Sequence, residues 1–279
     1  MYADTAMYDV AVASEYFVNY SRINENLVIS NSKGNFETVL GTPGYPYFSK
    51  DRLFILSPEQ NSLSEWSIEG DKKWEITNIS PITDIEASDS GVALGLLDGR
   101  VKYIEKSKQL FTYRTRGSKH PVILGCSLSA NSNYIGIISG ISPNKLTLLK
   151  RAGDSFQEIY ARDLGTDRRK PVFVDFSPKG RYLLSEDKQS ISIYDIEAQQ
   201  AHAFPVTGDI WYAHTHEDTR RTAVLSRTGK TFSLEVLEMP RSIITRVDWN
   251  AETAFLDMKE NKLFIGSDGR VFRIDVKEG

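Results

Sequence analysis

The chain has 279 residues, of which 40% are hydrophobic and 25% charged, with a formal net charge of −3 and a single cysteine, Cys126. That is an ordinary globular composition; it excludes an intrachain disulfide and Cys-x-x-Cys metal chemistry, and it supplies no global basic field for nucleic acid. The first twenty residues lack the basic region and long apolar stretch of a secretory leader, and no run reaches the ~20 apolar residues of a membrane span, so no direct membrane insertion is expected.

In chain order the sequence repeats one grammar of short strand, tight turn and short strand. The first copy, the poorest match, starts at Tyr8 with YDVAVAS, followed after Glu15 by YFVNYSRINENLVISNSKGNFETVL. The second runs from Tyr47 to Ile76 as YFS, RLFILS, SLSEWSI and KWEI. The third, Ile82 to Arg114, has ITDIEAS, GVALGLL, RVKYIEK and QLFTYR, with Asp98-Gly99 between its second and third strands. The fourth begins at Val122 with VILGCSLS, in which Cys126 reads as a small core residue, and continues through NYIGIIS and KLTLLKR.

The fifth copy shows the grammar most clearly. PVFVDFS is apolar on both faces, as a buried strand should be; PKG is a turn; RYLLS is a second strand; EDKQ turns again; SISIYDI alternates; and AHAFPV ends the unit. The sixth copy, Ile210 to Glu238 followed by SIITRVDW, and the seventh, Ala251 to Val276, repeat it. Aligned third strands place Ser30, Trp66, Ile104, Leu149, Tyr194, Leu234 and Ile274 at equivalent positions, spaced by 36, 38, 45, 45, 40 and 40 residues. Four short strands at a period near 40 predict propeller blades, because one such sheet cannot cover its own two faces and a ring of them can. No window sustains helical apolar spacing over three turns.

The expectation is therefore an all-β, single-domain, seven-bladed β-propeller with four-stranded antiparallel blades. Its blades fall near residues 7–40, 45–77, 82–114, 121–161, 171–206, 209–249 and 251–276. The last copy has only three strands before the chain ends in KEG. Residues 2–6 are expected to supply its fourth, covering an open edge.

VDFSPKGRYLLSEDKQSISIYDI resembles a WD40-type repeat, in which F-S-P-x-G opens the second strand and a hydrophobic-aromatic-Asp triplet, here Ile193-Tyr194-Asp195, ends the third. SEWSIEGDKKWEI is more similar to a PQQ-type repeat, with Gly70 and Trp74 as its Gly-x-x-x-Trp close. The Gly-His dipeptide of WD40 repeats and the full motif of PQQ-dependent dehydrogenases are both absent, so the resemblance implies the fold and no single family.

Catalytic signals are missing: there is no Gly-x-Ser-x-Gly elbow and no phosphate loop. No catalytic residue, cofactor or metal is expected. His214-Thr-His216-Glu-Asp218 is the nearest approach to a metal set, but it reads as a structural pair on an inner strand. Asp98-Gly99 and Asp268-Gly269 read as two-residue hairpin turns rather than as calcium loops. Trp66 and Trp249 read as filler between blades, whereas Trp211 and Tyr212 fit equally a core role or an anchor at the channel mouth. Asp84, His214 and Asp175 are the candidates for a polar channel site.

Position makes the basic residues informative. The blade-to-blade crossings RTRGSKH, Arg114 to His120, and RDLGTDRRK, Arg162 to Lys170, should be neighbours on one face of the ring, with hairpin SGISPNK, Ser139 to Lys145, beside them. The partner-binding set read from the sequence is Arg114, Arg116, Lys119, His120, Arg168, Arg169 and Lys170, with Trp211 and Tyr212 as apolar anchors. A basic patch on an acidic protein suggests an acidic partner surface or an anionic glycan, and a protein partner is the reading taken. The functional expectation is a non-catalytic interaction module within a larger assembly. The alternatives are a ligand- or carbohydrate-binding or lyase-type propeller using the channel, and a structural ectodomain of a bacterial envelope protein; a bacterial cytoplasm and a periplasm fit equally. Reversing Arg168 and Arg169 to Glu is expected to abolish partner capture without lowering the Tm.

Overall fold

Turn residues interrupt the chain so often that no strand among the described residues exceeds nine residues. A computed structural model describes residues 9–21, 26–216, 220–239, 242–259 and 262–275, and among these there are 27 strands and no helix.

Blade 1 is β1 (Asp9–Val12), β2 (Tyr16–Tyr20), β3 (Leu27–Asn31) and β4 (Glu37–Leu40). Blade 2 is β5 (Tyr45–Ser49), β6 (Arg52–Leu56), β7 (Ser62–Trp66) and β8 (Lys72–Thr77). Blade 3 is β9 (Ile82–Ala87), β10 (Gly91–Leu96), β11 (Arg100–Glu105) and β12 (Lys108–Arg114). Blade 4 is β13 (His120–Leu128), β14 (Tyr134–Ile141), β15 (Lys145–Ala152) and β16 (Ser155–Asp163). Blade 5 is β17 (Val174–Phe176), β18 (Tyr182–Glu186), β19 (Ser190–Asp195) and β20 (Gln200–Pro205). Blade 6 is β21 (Asp209–His216), β22 (Arg221–Thr228), β23 (Thr231–Glu238) and β24 (Ser242–Asn250). Blade 7 is β25 (Ala254–Lys259), β26 (Lys262–Ser267) and β27 (Arg270–Asp275).

Each blade is a meander in which sequential strands pair antiparallel. Six sheets have four strands; blade 7 has three among the described residues. The fourth strand expected from residues 2–6 lies outside the described residues. First strands of neighbouring blades contact one another, β1 with β5, β9 with β13, β13 with β17 and β21 with β25, so the first strands line the axis of the ring. This is a seven-bladed β-propeller.

Six apolar clusters fill the gaps between successive blades, from blades 1 and 2 round to blades 6 and 7. Leu183 of blade 5 is fully buried against Leu148 and Ile138 of blade 4, and Phe204 of blade 5 packs with Ala213 and Val224 of blade 6. Each large side chain buried this way contributes ~1.5–3 kcal/mol. The middle strands, covered on both faces, are therefore almost wholly buried, as in β10 and β18.

The first strand of blade 5 is shorter than the run Pro171 to Ser177 suggests, because Val172 pairs elsewhere: its N–H donates to the Leu124 carbonyl of blade 4 at 2.9 Å. Asp98 spends its carboxylate inside its own hairpin, and Asp268 spends its on the neighbouring crossing into blade 7. Asp98 accepts from the Arg100 N–H and side chain, and Asp268 from the N–H groups of Glu252 and Thr253. Gly99 sits at φ +82°, and a Cβ there would strike the Pro121 carbonyl, so glycine is required at that hairpin.

Candidate functional site

In a meander blade the fourth-to-first crossings and the second-to-third hairpins share one face of the ring. On that face the crossing at 115–119, the hairpin at 142–144 and the crossing at 164–173 are bonded into one floor. Thr115 begins it, its N–H and hydroxyl both donating to the Gly99 carbonyl at 3.0 Å. The Ser118 hydroxyl donates to the Pro143 carbonyl at 2.7 Å. Asn144, 0% exposed, is the centre. Its side-chain amide donates to the carbonyls of Gly140 (2.5 Å) and Arg168 (3.0 Å). Its side-chain oxygen accepts from the Thr166 hydroxyl (2.7 Å) and the Arg168 N–H (2.6 Å). Its main chain adds bonds to Thr166 and Leu164. A fully satisfied buried amide of this kind fixes loops that would otherwise be free.

The basic residues on this floor divide into two groups. Arg168 is half-buried and spent inside the protein: its guanidinium pairs with Glu186, which is only 4% exposed at its side chain, donates to the Asp187 carbonyl at 3.1 Å, and lies 3.8 Å from Asp209. Arg162 pairs with Asp187 at 2.8 Å, and Lys170 pairs with Asp209. Arg114, Arg116, Lys119, His120 and Arg169 are exposed, and none of them forms an ion pair among the described residues. The expectation that Arg168 can be reversed without loss of stability is corrected by its pairing with Glu186, a carboxylate that would be left buried and uncompensated.

Asp209 ties this floor to blade 6, two residues before Trp211. Trp211 is 51% exposed, stands edge-on to Phe232 (centroids 5.6 Å, 77°), and carries the Arg227 guanidinium 5.3 Å from its ring. Arg227 is held in turn by the Gly229 carbonyl at 2.6 Å. Tyr212 is half-buried against the cluster between blades 6 and 7, with Trp249. Trp66 and Trp74 are likewise packing residues, and Trp74 also donates to Glu65 at 2.6 Å. His214 is half-buried on β21 opposite Ala223; the side chain of His216, and Glu217 and Asp218, lie outside the described residues.

The channel wall holds a second polar group. Asp84 on β9 accepts the Cys126 N–H of β13 at 2.6 Å, and Asp175 on β17 accepts the Ser127 hydroxyl at 3.0 Å. Glu86, two residues from Asp84 on the same strand face, accepts from the Ser49 hydroxyl at 3.4 Å. Burial pushes all three carboxyls above the usual range, and Glu86, which also feels Asp175 and Asp84, is pushed up to about 8. Burial likewise raises the Tyr47 hydroxyl, which donates to the Ile85 carbonyl at 3.3 Å. A cavity of about 340 Å³ opens beside Asp84, Glu86, Tyr45 and Tyr47. The structure thus brings Asp84 and Asp175 together and adds Glu86, for which the alternation Asp84-x-Glu86 was the available signal. Among the described residues no group of three or more His, Cys, Asp or Glu side chains is placed to hold a metal ion.

A family model described as a beta-propeller protein matches residues 3–279. An uncharacterized protein of Treponema pallidum (strain Nichols) is 23% identical over 249 residues, which cover 89% of this chain and 66% of that protein. Among solved structures, BamB from Moraxella catarrhalis superposes with a TM-score of 0.66 at 14% identity, over 95% of this chain and 83% of that one. A chain of the Mitotic Checkpoint Complex gives a TM-score of 0.65 at 9% identity, over 93% of this chain and 84% of that one. Likeness at these identities is a likeness of fold.

Proposed function

The chain belongs to the beta-propeller protein family, and from that premise we propose that it is a non-catalytic protein-interaction scaffold working within a larger assembly. One of its structural neighbours is itself a chain of a named complex. The observation that carries the reading is the bonded floor around Asn144, which presents Arg116, Lys119 and Arg169 to solvent without ion partners among the described residues. An acidic segment of a protein partner fits this surface. Exposed ion pairs contribute only ~0.2–1 kcal/mol each, so three of them steer and orient rather than hold. The exposed Trp211 ring, braced by Arg227 and Phe232, supplies the apolar anchor that such a surface needs.

The test is affinity capture from the native cell followed by mass spectrometry, with wild-type protein and a triple variant, R116E/K119E/R169E. The expected result is loss of the captured partner at an unchanged Tm. Capture that survives the triple reversal removes the site.

A ligand-binding propeller using the channel is the second reading, favoured by Asp84 and Glu86 beside a cavity, with the Asp175 charge felt at Glu86. Calorimetry with neutral and amino sugars on wild type and D84N/D175N separates the two: heat of binding lost in the variant supports the channel, and no heat with wild type counts against it.

A further inference from the structure

β24, the outer strand of blade 6, pairs with β23 along one edge over its whole length, and among the described residues no strand pairs with its other edge. Eight of its nine residues are exposed. They include Ile243, Ile244 and Val247 at 49%, 47% and 49%. β16, an outer strand of the same length, instead buries Phe156 and half-buries three more residues. A long, apolar, open edge is a template for another strand.

The sequence of β24 indicates which strand. Arg246, Val247 and Asp248 follow one another as cation, apolar residue and anion. Read antiparallel, this triplet is its own complement: Arg246 meets Asp248, Val247 meets Val247, and Asp248 meets Arg246. The faces agree as well. Arg246 and Asp248 lie across from Glu235 and Ser233 on one face of the blade, while Val247 lies across from Leu234 on the other. Both ion pairs would therefore form on one side of the joined sheet and the valine contact on the opposite side.

We infer that β24 is a self-pairing edge, through which two copies of this chain join about a two-fold axis at Val247 and merge two blades into one eight-stranded sheet. Such a contact is isologous and closes on itself. In the single chain Arg246 is already bonded to the exposed Asp248 at 3.0 Å and lies 3.5 Å from the buried Glu235, so new ion pairs between copies fix register more than they add affinity. Backbone bonds and the apolar residues supply the attraction. A single edge contact is smaller than the ~1,600 Å² of a standard interface, which puts the dimer in the micromolar range.

Analytical ultracentrifugation of the purified chain, diluted from about 100 µM, tests this. The expected result is twice the protomer mass at the highest concentration. V247R, which sets two cations on the axis, and D248R, which makes the triplet all repulsive, each weaken association by about tenfold or more at an unchanged Tm. The double variant R246D/D248R restores it, because the reversed triplet is again its own complement. Monomer at ~100 µM overturns the inference, as does a dimer that V247R and D248R leave intact. V247R and D248R decide the matter even if removing the Arg246 cation from beside Glu235 lowers the stability of the double variant.

Discussion

Asp84 of blade 3 and Asp175 of blade 5 grip adjacent residues of the strand between them, one taking the Cys126 N–H at 2.6 Å and the other the Ser127 hydroxyl at 3.0 Å. A first strand has no neighbour on its channel side, so its inward polar groups need side-chain partners. The two aspartates supply them, and in doing so they bind blades 3, 4 and 5 into a unit. Asp84→Ala is expected to leave the Cys126 N–H without a partner and to cost about 1–3 kcal/mol in urea unfolding. A cost within ~0.5 kcal/mol would mean that water replaces the carboxylate at no loss.

Glu86 gives the stability a pH dependence of definite sign. Its carboxyl ionises near 4.5 when unfolded and at about 8 in the folded protein, because burial, Asp175 and Asp84 all oppose its charge. Between these values the folded state holds a proton that the unfolded state has released. Stability from this group therefore falls as pH rises from about 4.5 to about 8, by at most ~1.4 kcal/mol per pH unit, and levels off above. Glu86→Gln removes that slope. Chemical denaturation of the two proteins at pH 5, 7 and 9 should show the variant gaining on wild type with rising pH; parallel curves would refute the shift.

Arg168 and Arg169 are neighbours in sequence with opposite expected phenotypes. Arg168→Glu leaves Glu186 buried against a like charge and is expected to lower stability by about 3–5 kcal/mol. Arg169→Glu, on an exposed side chain, should leave the Tm unchanged and weaken partner capture. Differential scanning fluorimetry of the two single variants reads the difference directly.

Asn144→Ala removes four side-chain hydrogen bonds at a buried position, with an expected loss of about 2–4 kcal/mol. Hydrogen exchange should accelerate selectively at residues 164–170, which Asn144 holds, and leave β9 and β18 protected. Uniform acceleration over the whole ring would show that Asn144 supports the fold at large rather than this face.

Trp211→Ala should change stability by less than about 1 kcal/mol, because half of the ring already faces water, yet weaken partner binding by about tenfold or more. Trp249→Ala is the control: that ring stacks on Phe232 in the core between blades 6 and 7, so its loss should act on stability.

The fold was legible because its signal is redundant: seven copies of one strand-and-turn pattern agree on the period even where one, such as the shortened β17, is weak. The loop face was legible as topology, since crossings and hairpins must share a side. The state of each arginine on it was not. Glu186 and Asp187 read as a polar turn, and only the return of that hairpin beneath the 164–173 crossing turns them into partners for Arg168 and Arg162. Similarly, Asp84 and Asp175 are 91 residues apart, and nothing local shows that the same strand lies between them.

The floor around Asn144 also bears on kinetics. Its loops are already in place before any partner arrives, so little chain entropy remains to be lost at the moment of contact. Complexes formed on it should assemble at rates set by diffusion and by the attraction of the three outward cations. Added salt should then slow arrival far more than it hastens departure.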